Sequence, residues 1–149
     1  MEGNPKIKLF VITENKNLQG QILSLLSKDD YEIKTLTSGD EAIANSEKEP
    51  PELIVSDLMS ANISGLDICK ELRKNFSLRY IPIILILPDA ETHDTEKLIY
   101  AGVDDYIQSS AIIQELSIKI KLNLYRVARH QDINPLTRLP GQTSLLKEL

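Results

Sequence analysis

Short apolar runs alternate with stretches of helical periodicity along most of the chain. Residues 7–12 (IKLFVI) form a β-branched run that predicts a strand. Leu18, Ile22, Leu25 and Leu26 then recur at helical spacing and predict a helix over 17–28. Tyr31–Leu36 partly alternates, as a strand does. Ser38 with Glu41 three positions on makes a capping box, so a helix starts there and Pro50-Pro51 closes it. Residues 52–56 (ELIVS) predict a buried strand, after which helical spacing resumes at Leu66, Cys69, Leu72 and Phe76. The most apolar run is 81–87 (IPIILIL), too short for a typical helix, with Pro82 at the strand entrance where a missing N–H is tolerated. A short helix over 92–101 is expected to end at Gly102 in the left-handed conformation, and 103–107 is the last strand. From Ala111 to about Gln131 runs one long amphipathic helix with Ile113, Leu116, Ile120, Leu124 and Val127 on one stripe.

Five strands alternating with five helices, the strands mostly unbroken apolar runs, predict an α/β fold: a doubly wound parallel sheet covered on both faces. Ligands of such sheets sit at the carboxyl ends of the strands. Those ends are Thr13-Glu14-Asn15, Asp57-Leu58-Met59, Leu87-Pro88-Asp89 and Gln108-Ser109-Ser110.

Composition narrows the classes. The 149 residues carry a formal net charge of −5, with 42% hydrophobic and 26% charged side chains, a globular profile. The single Cys69 excludes an intrachain disulfide and a cysteine-based zinc site, and His93 and His130 are too far apart to suggest a histidine metal site. No signal-peptide pattern and no apolar run of roughly 18 residues is present, which leads us to expect a cytoplasmic protein without membrane attachment. Residues 1–110 hold 19 acidic and 11 basic side chains, whereas 111–131 hold Lys119, Lys121, Arg126 and Arg129 against Glu115. That basic stretch is expected to be a solvated helix face, not a nucleic-acid reader, because no recognition motif accompanies it.

Asp57 closes an apolar strand, and Glu14 is the only acid at the end of the first. Two carboxylates at one pole repel each other, and a divalent cation such as Mg²⁺ would relieve that repulsion, with the Met59 backbone carbonyl as a further ligand. An ordinary strand-end or helix-capping acid would look the same at position 57. Other chemistries of this architecture lack their parts. There is no G-x-G-x-x-G, no P-loop, no glycine in TENKN to cradle a flavin phosphate, no D-x-D at Asp57 and no Ser/His/Asp triad.

The motifs KIKLFVITEN, LIVSDLMSANISGLDICKELR, IPIILIL and AGVDDYIQS occur in order, with Gly65 eight residues after Asp57. Together they make residues 6–130 resemble the receiver domain of bacterial two-component response regulators. The resemblance implies a flavodoxin-like sheet of order 2-1-3-4-5 with an extended C-terminal helix. It also implies phosphoryl transfer from a histidine kinase to Asp57, and no enzyme activity of the chain's own. In the family an acidic pair after the first strand holds Mg²⁺ with the aspartate and the carbonyl two residues later. A Ser/Thr after the fourth strand and a Lys after the fifth grip the phosphoryl group, and an aromatic in the fifth strand switches rotamer.

The match is partial in the pocket. The acidic pair is Thr13-Glu14, the hydroxyl position is Leu87, the lysine position is Ser109 followed by Ser110, and the usual proline is Ala61. Asp57, the Met59 carbonyl position, Gly65 and the switch aromatic Tyr106 are kept. Phosphoryl transfer depends on preplaced charge, and each lost donor is worth about 3 kcal/mol, so slow phosphorylation or weak coupling to Tyr106 is expected.

Residues 132–141, DINPLTRLPG, are similar to the opening of GGDEF-type diguanylate cyclase domains, although no GGDEF or GGEEF follows. The likeness implies that 131–149 are a linker and the start of such a domain, and that the receiver is expected to control a cyclase output this chain does not contain. The apolar stripe of the last helix is expected to pair with a second copy, though Asn123 stands where a strict heptad wants an apolar residue. Two other functions compete: a receiver that dimerises or binds a partner without phosphorylation, and an enzyme on a flavodoxin-like scaffold.

Overall fold

The computed structural model describes residues 6–89 and 94–132, with side chains to Arg129. His93, the His130 side chain and the 133–149 segment lie outside the described residues. Among the described residues, seven strands and five helices follow one another as β1 (Ile7–Ile12), α1 (Lys16–Leu26), β2 (Tyr31–Leu36), α2 (Gly39–Lys48), β3 (Leu53–Asp57), β4 (Met59–Ser60), β5 (Ile63–Ser64), α3 (Gly65–Lys74), β6 (Ile83–Leu87), α4 (Thr95–Ala101), β7 (Asp105–Gln108) and α5 (Ile112–Asp132). A single 3₁₀ turn, Ser109–Ala111, joins β7 to α5.

The five long strands form one parallel sheet of order β2-β1-β3-β6-β7, while β4 and β5 make a small antiparallel hairpin. Counting only the strands of the main sheet, this is the doubly wound order 2-1-3-4-5. Successive strand residues point to opposite faces and feed two cores. Phe10, Ile12, Ile54 and Leu85 pack with Ile68, Cys69, Leu72 and Leu98 under α3 and α4. Leu9, Val11, Val55, Ile84 and Ile86 pack with Ile22, Leu26, Ile112, Leu116 and Ile120 under α1 and α5.

Local chemistry explains most boundaries. Asn15 caps α1 by accepting from the Leu18 N–H at 3.0 Å. The Ser38 hydroxyl accepts from Glu41 N at 3.1 Å, and the Glu41 carboxylate reaches back to Thr37 N at 3.2 Å, one residue beyond the usual reciprocal contact. Gly102 ends α4 with φ at 87°, the left-handed conformation its sequence position suggests.

The departures are specific. β6 starts at Ile83 because Pro82 has no N–H for the ladder, although its carbonyl still accepts from Ile54 N at 3.0 Å. β7 starts at Asp105, since Val103 N and Asp104 N are committed to Leu98 O and Ile83 O. α3 ends at Lys74, so Phe76 leaves the apolar stripe and is 79% exposed. The buried stripe of α5 is Ile112, Leu116, Ile120 and Asn123, whereas Ile113 faces solvent. The β4–β5 hairpin carries no periodic signal, being two residues per strand.

Candidate functional site

The parallel register carries the ends of β1, β3, β6 and β7 to one rim. Ile12, Ser56, Leu85 and Tyr106 lie in one cross-strand row, and Asp57, Ile86 and Ile107 lie in the next. Thr13-Glu14, Asp57, Leu87 and Ser109 are therefore brought to the same edge of the sheet, as their positions at strand ends suggest.

Asp57 is the last residue of β3 and only partly exposed. Thr13, almost fully buried, donates its hydroxyl hydrogen to Asp57 Oδ2 at 2.6 Å. The same Thr13 oxygen accepts from Asn15 N at 3.0 Å, so hydroxyl, carboxylate and the start of α1 are tied together. Burial pushes the Asp57 carboxyl above its ordinary range, against the opposing pull of the Thr13 hydroxyl and the Glu14 backbone N–H, with the Glu14 charge adding slightly to the rise.

Glu14 turns its carboxylate to the β4–β5 hairpin. Its Oε1 accepts from the Ser60 hydroxyl and from Asn62 N at 3.1 Å, and its Oε2 accepts from Asn62 Nδ2 at 2.7 Å. These donors hold the Glu14 carboxyl below the usual carboxylate range. The hairpin that contains Met59 is thereby clasped to the end of β1. Hydrophobic periodicity does not mark Ser60 or Asn62. A Ser-Ala-Asn turn after an acidic strand end is the signal that marks them, because Asn and Ser serve turns through side-chain hydrogen bonds.

The remaining positions are plainer. Leu87 is 2% exposed and belongs to the core under α3 and α4, without a donor for an anion. Ser109 opens the 3₁₀ turn, and the next residue, Ser110, donates its N–H to Asp89 Oδ1 at 3.2 Å. Tyr106 is 44% exposed, an outward-facing aromatic on β7. Beside it Asp105 receives Lys119 Nζ at 3.0 Å and Asn123 Nδ2 at 3.1 Å, while Arg126 donates to Asn123 Oδ1 at 2.9 Å. Part of the basic charge of α5 is thus neutralised internally.

For a divalent cation the donor set is poor. Both carboxylates already receive hydrogen bonds, the Thr13 hydroxyl brings no charge, and among the described residues no group of three or more His, Cys, Asp or Glu is placed to hold a metal ion. Among the described residues no helix is long and apolar enough to cross a membrane.

Comparison with known proteins places this geometry. The chain is 28% identical over 119 residues to the alkaline phosphatase synthesis transcriptional regulatory protein PhoP of Bacillus subtilis, a match covering 80% of this chain and 49% of that protein. The chain spans about half the length of the curated relatives it matches. A response regulator from Desulfuromonas acetoxidans superposes with a TM-score of 0.70 at 25% identity, covering 80% of this chain and 98% of the other. The receiver domain of the sensor histidine kinase PA1611 from Pseudomonas aeruginosa PAO1, whose structure has a magnesium ion coordinated in the active-site cleft, superposes with a TM-score of 0.73 at 21% identity, covering 81% and 99%. Residues 9–121, a stretch that contains Asp57, Gly65 and Tyr106, match the family model of the response regulator receiver domain, and the chain belongs to that family.

Proposed function

We propose that this receiver accepts a phosphoryl group on Asp57 from a histidine kinase, through an atypical pocket, and regulates a C-terminal output domain. The observation that carries the reading is Asp57 itself: a partly exposed carboxylate at the end of β3, on the rim where β1, β6 and β7 also end. Glu14, Asp57 and the Met59 carbonyl are the positions for a weakly held Mg²⁺. Leu87 brings no hydroxyl where the family places one after β6, and Ser109 brings no positive charge where the family places a lysine after β7, so transfer is slow. Tyr106 is the aromatic that would report it.

A diguanylate cyclase is the output suggested by DINPLTRLPG. Relatives such as PhoP are named as transcriptional regulators, which makes a DNA-binding output the other candidate. On the receiver itself Lys119, Lys121 and Arg126 are engaged with Asp105, Asp29 and Asn123, which supports reading this stretch as a solvated helix face rather than a nucleic-acid reader. The partner of α5 is a second copy of this chain: Ile118, Leu122 and Tyr125 lie exposed at helical spacing on its outer face.

A phosphorylation-independent receiver is the second reading, favoured by the Thr13–Asp57 hydrogen bond, which satisfies the acceptor carboxylate in the resting protein. Incubation with acetyl phosphate and Mg²⁺ followed by intact mass measurement separates the two. The first reading expects the mass gain of one phosphoryl group, lost in Asp57→Asn; an unchanged mass under saturating conditions favours the second.

A further inference from the structure

We infer that Thr13 sets the cation affinity of the rim, by holding Asp57 with a neutral hydroxyl where a second carboxylate would make a divalent-cation site. The inference deepens the reading of Asp57 above and rests on it for what the cation serves, not for whether one binds.

Three observations carry it. First, Thr13 is buried, 1% exposed, and its hydroxyl is used on both sides: the hydrogen goes to Asp57 Oδ2 at 2.6 Å and the oxygen accepts from Asn15 N at 3.0 Å. A hydroxyl so placed is a strong donor to a carboxylate and a poor ligand for a dication, since its proton already points at the anion the cation would seek. Second, Glu14 does not compensate. Its two oxygens receive Ser60 Oγ, Asn62 N and Asn62 Nδ2, and capturing a cation would require releasing the hairpin clasp. Third, Asp57 is left as the one carboxylate facing that hydroxyl, and a single carboxylate offers Mg²⁺ too little to offset its reluctant dehydration.

Replacing the hydroxyl by a carboxylate inverts this balance. In Thr13→Asp two carboxylates stand side by side at a partly buried strand end and repel each other. A divalent cation relieves the repulsion, so the variant is destabilised in its absence and recovers when it is supplied. Thr13→Val removes the hydrogen bond without adding charge and isolates the loss of the donor from the gain of a ligand.

The test is thermal unfolding of the 149-residue chain in EDTA and in MgCl₂, for wild type, Thr13→Asp and Thr13→Val. Wild type is expected to shift by less than about 1 °C up to about 10 mM Mg²⁺, and Thr13→Val is expected to melt lower and stay equally flat. Thr13→Asp is expected to rise by about 4 °C, the response to a ligand at ten times a dissociation constant of about 1 mM in a chain of this size. A wild-type melting temperature that climbs with Mg²⁺ as the aspartate variant's does overturns the inference, and so does a folded Thr13→Asp that ignores Mg²⁺. Should Thr13→Asp not fold, Mn²⁺ binding to the wild type by electron paramagnetic resonance decides. Retention of free Mn²⁺ signal at about 1 mM supports the inference, and tight uptake overturns it. Because melting and metal uptake are read without phosphorylation, an unmodified Asp57 in the acetyl phosphate experiment overturns the phosphoacceptor reading and leaves this one standing.

Discussion

The backbone carbonyl oxygen of Asp57 lies so close to Gly65 that a Cβ at position 65 would stand 2.5 Å from it, with Leu85 Cδ2 at 2.6 Å on the other side. The Gly65 N–H donates to Leu58 O at 2.8 Å, which pins the start of α3 against the β3 end. The missing side chain is what lets the start of α3 sit against the end of β3. Gly65→Ala is expected to cost about 1–3 kcal/mol, as overpacking against backbone does, and to displace the carboxylate. Urea denaturation reads the first effect, and slower labelling of Asp57 by acetyl phosphate reads the second.

Asp57 and Glu14 make opposite contributions to the pH dependence of stability. The Asp57 carboxyl titrates above its ordinary value of 3.8 because of burial, so the folded state holds that proton more tightly than the unfolded chain. Its contribution is fully present below that value and is lost as pH rises through the raised one. Glu14 titrates below its ordinary 4.5 because of Ser60 and Asn62, so its contribution is present above 4.5 and lost as pH falls through the depressed value. Asp57→Asn is therefore expected to raise the melting temperature at neutral pH and to lose that advantage in acid. Melting curves from pH 3 to 7, with Glu14→Gln beside it, check both signs; an Asp57→Asn variant less stable than wild type at pH 7 contradicts the first.

Asn123 is 1% exposed on α5 and ties Asp105 of β7 to the helix, also donating to Lys119 O at 2.8 Å. Asn123→Leu removes these bonds together with the one accepted from Arg126, and leaves an Asp105 oxygen without its partner. A loss of about 1–3 kcal/mol in denaturant unfolding is expected. A neutral result would mean that the bond does not anchor α5.

The exposed Ile118, Leu122 and Tyr125 make a second, outer stripe on α5. Ile118→Glu with Leu122→Glu is expected to convert a dimer to a monomer in sedimentation, while changing the stability of the monomer by no more than about 0.5 kcal/mol per site. Wild-type chain that sediments only as monomer at high concentration refutes the homodimer.

Strand and helix identity were written locally. IKLFVI, IPIILIL, the Ser38–Glu41 box and Gly102 each act through neighbours in sequence, by burial of contiguous apolar atoms or by capping, and the positions of those elements follow to within a few residues. The end of the α3 stripe and the inner face of α5 did not follow. Phe76 keeps helical spacing after its helix has stopped, and α5 is apolar on two sides, so only docking on the sheet decides that Ile112 and not Ile113 is inside.

That Asp57 closes an apolar strand, that Glu14 follows another, and that a hydroxyl stands at 13 and an apolar side chain at 87 are all legible along the chain. Tertiary structure alone decided how they are used: Thr13 donates to Asp57, 44 residues away, and Glu14 turns to Ser60 and Asn62 across a hairpin with no periodic signal. The physical reason is that a polar side chain's partner is chosen by which strand ends the sheet order makes adjacent, and hydrogen-bond direction across that gap has no trace in the spacing of residues along the chain.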